Sequence, residues 1–256
     1  MNTKVPNIDY NEAIKNSGLF RKLGFVLFAV IVYRLGTYVP VPGINSAVLE
    51  QIFAQHQNGI LGIFDMFSGG ALMRMSVFTL GVMPYISASI IMTLMQSSFD
   101  SLKALKEQGT NGRKKIQQYT RYLTILLALF QSYGISNGIL NLSDTVDPTL
   151  GSVAFFQLSA IITMTSGTIF LMWLGEHITE HGFGSGISII IFAGIVANLP
   201  FAIFNTFELG RTGAVSTFMI LAIFVLLIVT ILFVVFMERA LRKILINYPK
   251  RQMGNK

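Results

Sequence analysis

Residues Thr212 to Met237 read TGAVSTFMILAIFVLLIVTILFVVFM, without a charged side chain from end to end. A helix crossing the ~30 Å hydrocarbon core of a bilayer needs roughly 20 such residues, because hydrocarbon offers no partner to a backbone N–H or C=O. The stretch therefore reads as a membrane span. Further charge-free runs extend from Met75 to Phe99, Tyr122 to Ser143, Pro148 to Gly175 and Gly182 to Phe207. A sixth span, Leu23 to Val39, is interrupted only by Arg34 near one end, where a long side chain can snorkel to water. The reading is an all-α, polytopic membrane protein with six transmembrane helices.

Composition agrees. Of 256 residues, 52% are hydrophobic and only 12% charged, with a mean hydropathy of +0.61. A soluble domain carries about 25% charged residues, so a globule in water is excluded. No cysteine is present, which excludes a disulfide framework, a thiolate metal site and a cysteine nucleophile.

The net charge of +7 is unevenly placed. Lys4, Lys15, Arg21 and Lys22 precede the first span. Lys103, Lys106, Arg113, Lys114, Lys115 and Arg121 lie between the second and third, and Arg239, Arg242, Lys243, Lys250, Arg251 and Lys256 follow the sixth. With six spans these three segments share one side, which the positive-inside rule assigns to the cytosol together with both termini. Arg34, Arg74 and Arg211 fall on the other side. The basic loops are a topology signal first, and a nucleic-acid footprint only if they also meet RNA, as on a ribosome.

The first twenty residues lack the apolar core and small-residue cleavage site of a signal peptide, and read as an amphipathic lead-in on the membrane. The outer segment Pro40 to Arg74 has no run long enough to span. It carries Ile60, Leu61, Ile63, Phe64, Met66 and Phe67, followed by Ser68, Gly69 and Gly70, which predicts a short helix broken by glycines. Two turns cannot cross a bilayer. Such an element either rests on the interface or, inside the membrane plane, lines or fills something. The inner loop Asp100 to Arg121, with Gly109 and the pair Asn111, Gly112, predicts a protruding hairpin suited to docking. The short loop Gly175 to Gly186, ending in Gly182, Gly184 and Gly186, predicts a tight re-entry, and Pro84 should kink the second span.

His177, Ile178, Thr179, Glu180 and His181 match H-x-x-E-H, the pattern of inverted zinc proteases. The match is declined. It has three fixed positions, lies in what reads as a glycine-bounded loop, and lacks a clear third ligand, the nearest later carboxylates being Glu208 and Glu238. No phosphate loop, nucleophile elbow or buried carboxylate pair appears, so no enzyme and no cofactor is expected. Gln131 and Gln157 are the polar anomalies deep inside spans, and each should face another helix or a cavity.

The run from Asp65 to Ile91, DMFSGGALMRMSVFTLGVMPYISASII, resembles the bacterial SecY family, the membrane core of the Sec protein-conducting channel. Tyr33 to Ile44 (YRLGTYVPVPGI), Gly112 to Tyr122 (GRKKIQQYTRY), Phe170 to Thr179 (FLMWLGEHIT), Gly184 to Ala197 (GSGISIIIFAGIVA) and Asn247 to Gln252 (NYPKRQ) agree in order, so the resemblance covers essentially the whole chain. It implies a first five-span half over residues 23–205 after a cytosolic lead-in 1–22. An outer loop and sixth span follow over 206–237, and then a basic cytosolic loop over 238–256.

In that family an hourglass channel is closed at its waist by an aliphatic ring and sealed from outside by a short plug helix. The resemblance places Val82, Ile86, Ile187 and Ile191 in the ring, each pair four residues apart and so on one helix face. Branched aliphatics offer a passing chain no hydrogen bonds and resist wetting when closed. Without the resemblance these four would be ordinary lipid-facing or core residues. Ile60, Ile63, Phe64, Met66, Phe67, Ser68, Gly69 and Gly70 match the plug. Ser87, Ile90 and Gln131 match the lateral gate, through which membrane segments leave sideways. Arg113, Lys114, Lys115, Arg239, Arg242, Lys243, Lys250 and Arg251 match loops that meet the ribosome or the SecA motor ATPase, unless they are basic only to set topology.

The resemblance further implies the small SecE and SecG subunits, signal sequences and nascent chains as partners, in the bacterial plasma (inner) membrane. Family members have about ten spans in two inverted halves, a known membrane design. This chain ends after the sixth, which leads to the expectation of a truncated or partial member of the family, or one stage of its synthesis. The alternative function is a small-solute secondary transporter, which should place polar ligands at the midplane, where the chain offers mainly Gln131 and Gln157.

Overall fold

The computed structural model describes residues 18–55, 60–142, 146, 152–213 and 216–240. The expected lead-in before Gly18 and the basic residues Arg242, Lys243, Lys250 and Arg251 lie outside them. The helices are α1 Leu19–Gly36, α2 Ser46–Gln55, α3 Ile60–Ser68, α4 Met83–Ser98, α5 Asp100–Glu107, α6 Thr110–Leu140, α7 Val153–His181, α8 Gly186–Arg211 and α9 Thr217–Arg239. Among the described residues there is no strand, only the isolated antiparallel bridges Pro40–Ser76 and Ile44–Val146. Among the described residues four helices, α6 to α9, are long and apolar enough to cross a membrane, which supports a multi-pass membrane protein.

Three sequence expectations are corrected. The second span does not begin at Met75: residues 71–82 are turns, and α4 starts at Met83. Pro84 consequently sits in the first turn of α4, where a helix needs no N–H from it, and begins the helix instead of kinking it. The inner loop is a helical hairpin, α5 then α6, turning at Gln108 and Gly109. The Asn111–Gly112 pair, a turn by local propensity, lies in the first turn of α6, because a Cβ on Gly112 would overlap the Leu105 carbonyl of α5. The short α2 in the outer segment was not anticipated.

By its internal contacts the chain divides into Met1–Leu199 and Pro200–Lys256. In the first unit α6 packs on α7 and on α4, and α1 packs on α7. The buried face of α6 recurs every fourth residue as Gly112, Ile116, Thr120, Thr124, Ala128, Ser132 and Ser136. Small residues at that spacing let helix backbones approach closely, the packing mode available where lipid removes the hydrophobic drive. The Thr120 and Thr124 hydroxyls donate to the carbonyls one turn back, at 3.0 and 2.7 Å, so burying them leaves no donor idle. Gln157 Nε2 donates to Asn137 Oδ1 at 3.3 Å, the interhelical bond expected of an intramembrane amide.

Turns in a buried segment must still bond every backbone group. Residues Ser68 to Val82 are almost wholly buried, and their backbone bonds run within the segment and to residues 39–41, which follow α1. Ser76 N–H donates to Ala71 O (2.9 Å), Thr79 N–H to Ser76 O (3.0 Å) and Gly81 N–H to Phe78 O (2.8 Å). Val77 N–H reaches Val39 O, and Val41 N–H reaches Met75 O, both at 2.9 Å. Met75 adopts a left-handed φ of 46° while fully buried, a strain the surrounding bonds hold in place.

In the second unit, Ser216 caps α9 by accepting the Met219 N–H at 3.3 Å. Its apolar side chains from Phe218 to Met237 are unburied, as a lipid-facing surface requires.

Gly167 of α7 lies against residue 77, where a Cβ would overlap the Val77 carbonyl, whereas Gly134 of α6 faces open space. Gly167→Leu is expected to cost about 2 kcal/mol or more and to lower the thermal midpoint in detergent, with Gly134→Leu as the unaffected control. Equal midpoints would show that α7 does not pack on the 71–82 turns.

Candidate functional site

A cavity of about 690 Å³ is bounded by four helices of the first unit. The α4 helix contributes Tyr85, Ile86, Ser89 and Ile90; α6 contributes Gln117; α7 contributes Glu176, Thr179 and Glu180; α8, preceded by Ser185, contributes Ile187, Ser188 and Ile191. Its aliphatic groups thus come from α4 and α8 at four-residue spacing, and its polar groups are uncharged hydroxyls and amides apart from the two glutamates.

Of the four residues expected in an aliphatic ring, Ile86, Ile187 and Ile191 line this cavity together. Val82 is not among the lining residues. It precedes α4 as its N-cap and is buried in the core with Tyr33, Phe78 and Leu174, while Ile86, Ile187 and Ile191 pack against that core. Of the expected gate residues, Ile90 is exposed and lines the cavity, Ser87 is half-buried on the same helix, and Gln131 is half-buried on α6. Arg113, Lys114 and Lys115 are exposed on the first turns of α6, and Arg239 ends α9.

The wall between α6 and α7 is clamped by charge. Arg121 Nε donates to Glu176 Oε1 at 2.8 Å and Nη2 to Oε2 at 2.6 Å, and Gln117 Nε2 adds a bond to Oε1 at 3.1 Å. A bidentate fork of this kind fixes orientation as well as distance. Where α7 hands over to α8, the Thr179 hydroxyl donates to Gly175 O and accepts the Gly186 N–H, both at 2.9 Å. A Cβ on Gly186 would overlap the Gly175 carbonyl, so the glycines permit the tight re-entry. The H-x-x-E-H residues are not in a loop: they occupy the last turns of α7, since the helix continues to His181.

The short outer helix is present as α3, ending at Ser68 with Gly69 at φ 70° and Gly70 at φ 84°. Nothing is described of the side chains of Ile60, Ile63 and Phe64; Met66 and Phe67 are exposed, and Ser68, Gly69 and Gly70 are buried. The base of α3 is held by residues that the sequence reading did not assign to it. Tyr33 donates its hydroxyl to Ser68 O at 3.0 Å, and Arg34 Nη1 donates to Gly69 O at 2.9 Å. Arg34 therefore does not simply snorkel: its guanidinium also reaches the Tyr38 hydroxyl at 3.3 Å. The signal was available, because an ionisable residue inside an apolar run calls for a named partner. Behind the turn, Asp65 Oδ1 accepts the Met73 N–H at 2.8 Å. Burial pushes the Asp65 carboxyl above its usual range, opposed by that N–H and by the Arg74 guanidinium. Gly69 meets Gly194 of α8, with room for a Cβ only 3.0 Å from the Gly194 Cα.

The SecY family model matches residues 76–256. Relatives named protein translocase subunit SecY are 48% identical over 99% of this chain in Escherichia coli K12 and 49% identical over 98% in Vibrio cholerae. A third, from Buchnera aphidicola of Acyrthosiphon kondoi, is 47% identical over 99%. The chain spans 57%, 56% and 71% of their respective lengths. Among solved structures, Sec61 in the canine ribosome-channel complex of the endoplasmic reticulum aligns over 74% of this chain and 37% of its own, at 20% identity and a TM-score of 0.49.

Tyr33→Phe removes a donor from a buried carbonyl and should destabilise the α3 base by about 1 kcal/mol, or roughly fivefold in its open population. Ala71→Cys, a fully buried position in a chain without cysteine, reports that opening through its rate of maleimide labelling. Equal labelling rates with and without the tyrosine hydroxyl would mean the bond holds nothing.

Proposed function

Because this chain belongs to the SecY family, we propose that it supplies the first half and sixth span of a protein-conducting channel. In this reading unfolded secretory polypeptides pass across the membrane and membrane segments leave sideways past a gate wall formed by α4 with α6 beside it. The observation that carries the reading is the cavity in which Ile86, Ile187 and Ile191 converge from α4 and α8. Aliphatic side chains at a constriction accept any sequence, because they form no hydrogen bonds that a passing chain must break, and they dewet when it closes. Val82, one turn before Ile86 and bonded through its carbonyl to the Ile86 N–H at 3.1 Å, completes the ring when the core around it moves.

The finer assignments follow from the same reading. The chain makes six spans, with α1 and α4 as the two shorter ones, and α3 is a re-entrant plug held at its base by Tyr33 and Arg34. Both ends face the cytosol of a bacterial inner membrane. Arg113, Lys114, Lys115 and the basic residues from Arg239 onward, including Arg242, Lys243, Lys250 and Arg251, dock the ribosome or the SecA motor. SecE and SecG pack alongside. No bond is made or broken by the chain, so the motor or translation supplies the work. Family membership favours this reading over a small-solute transporter, and Gln157, committed to Asn137, is one fewer midplane ligand for a solute.

The absence of cysteine makes the test clean. Single cysteines at Ile86 or Ile191, in membranes that carry the complete translocase, should cross-link by oxidation to a cysteine in a stalled secretory chain. Leu226 on α9 should not. Cross-linking at Leu226 alone, or at none of the three, would overturn the channel reading.

A further inference from the structure

The structure assigns a use to the one motif that conduction leaves idle: we propose that His177, Glu180 and His181 form a surface site for a divalent transition-metal cation of the zinc class. The two histidines are one helical turn apart at the end of α7 and so share a face. Their ligand atoms and the Glu180 carboxylate all lie within 4.8 Å of one another. Bringing three such atoms onto one ion at ~2.1 Å bonds needs only small side-chain adjustments, and Glu180 and His181 are exposed.

A second observation bears on the ligand atoms. His181 Nδ1 lies 3.3 Å from the His177 carbonyl. With Nδ1–H donating there, Nε2 is left with its lone pair outward, and a backbone carbonyl on the far nitrogen is the usual support of a metal-bound imidazole. The apolar ring faces are occupied: Trp173 stacks on His177 at 4.6 Å between centroids, and Phe25 of α1 lies 5.6 Å from His181. Packing of the ring faces leaves the nitrogen edges for a ligand.

Two histidines and one carboxylate are a zinc set with the remaining position open to water. Mg²⁺ and Ca²⁺, which prefer all-oxygen shells, fit it poorly. The site is not a protease. Glu180 lies within ligating reach and is not held back as a base. Because Glu180 also lines the cavity, a bound cation would neutralise a charge on that wall and tie down the last turn of α7 before its re-entry into α8. This holds whether or not the chain conducts polypeptide.

The chain carries one tryptophan and three histidines, which makes the experiment specific. The full chain, purified in detergent without a histidine tag, is titrated with Zn²⁺ by calorimetry and with Ni²⁺ while Trp173 fluorescence is followed. One Zn²⁺ per chain, saturable quenching by Ni²⁺, and competition by Zn²⁺ but not Mg²⁺ are expected. His177→Ala and His181→Ala should each abolish binding. Glu180→Gln should weaken it at least about tenfold, and His56→Gln should change nothing. Absence of saturable Zn²⁺ binding at micromolar metal overturns the proposal. So does binding that survives the His177/His181 double substitution or follows His56. A thermal melt of each variant without metal separates lost ligands from lost fold.

Discussion

A backbone group buried away from water must find its partner in the protein, and the turn segment from Ser68 to Val82 is where this chain meets that demand without a helix. Most of its N–H groups have a hydrogen-bond partner, among them the Ala71, Leu72, Ser76 and Phe78 carbonyls within the segment and the Asp65, Met66 and Val39 carbonyls outside it. Side chains complete the set, with Asp65 accepting from Met73, and Ser68 from Leu72. Everything around the cavity depends on this. The turns fix where α4 can begin, and so which of its faces carries Ile86 and Ile90. They also give α7 a surface that only a glycine at position 167 can approach.

The same segment ties the outer helix to the rest of the first unit. Two hydrogen bonds from α1, by Tyr33 and Arg34, reach carbonyls at the base of α3, and glycines 69 and 194 let that base lie against α8. The neutral Tyr33 bond contributes on the order of 1 kcal/mol and the charged Arg34 bond about 1.5–3 kcal/mol, so the base of α3 is held by two bonds of unequal strength.

Elsewhere the molecule is braced more firmly. The Arg121–Glu176 fork joins α6 to α7, the Thr179 hydroxyl and the Gly175–Gly186 contact lock α7 onto α8, and the small-residue face of α6 closes the remaining gap. Between these braces α4 is clamped to α5 and α6 at one end and to the turns at the other. The cavity lies along the α4 side, lined also by α6, α7 and α8.

The sequence by itself determined the membrane character, the positions of the later spans, the short glycine-ended helix at 60–68 and the tight glycine re-entry before α8. Each is a local quantity: a run of uncharged residues long enough for hydrocarbon, or a residue free to take a left-handed φ. The family resemblance, carried by long motifs, was legible as well. The tertiary structure decided what local rules could not weigh. Pro84 begins a helix because the preceding residues are claimed by pairings to Val39 and Val41, far away in sequence. Asn111 and Gly112 are helical because Gly112 is needed against Leu105, and Arg34 turns inward because a carbonyl 35 residues later is waiting for it. Val82 is buried with Tyr33, Phe78 and Leu174, a placement that only packing between distant segments decides. Periodicity states which residues share a face, and contact between distant segments decides what that face meets.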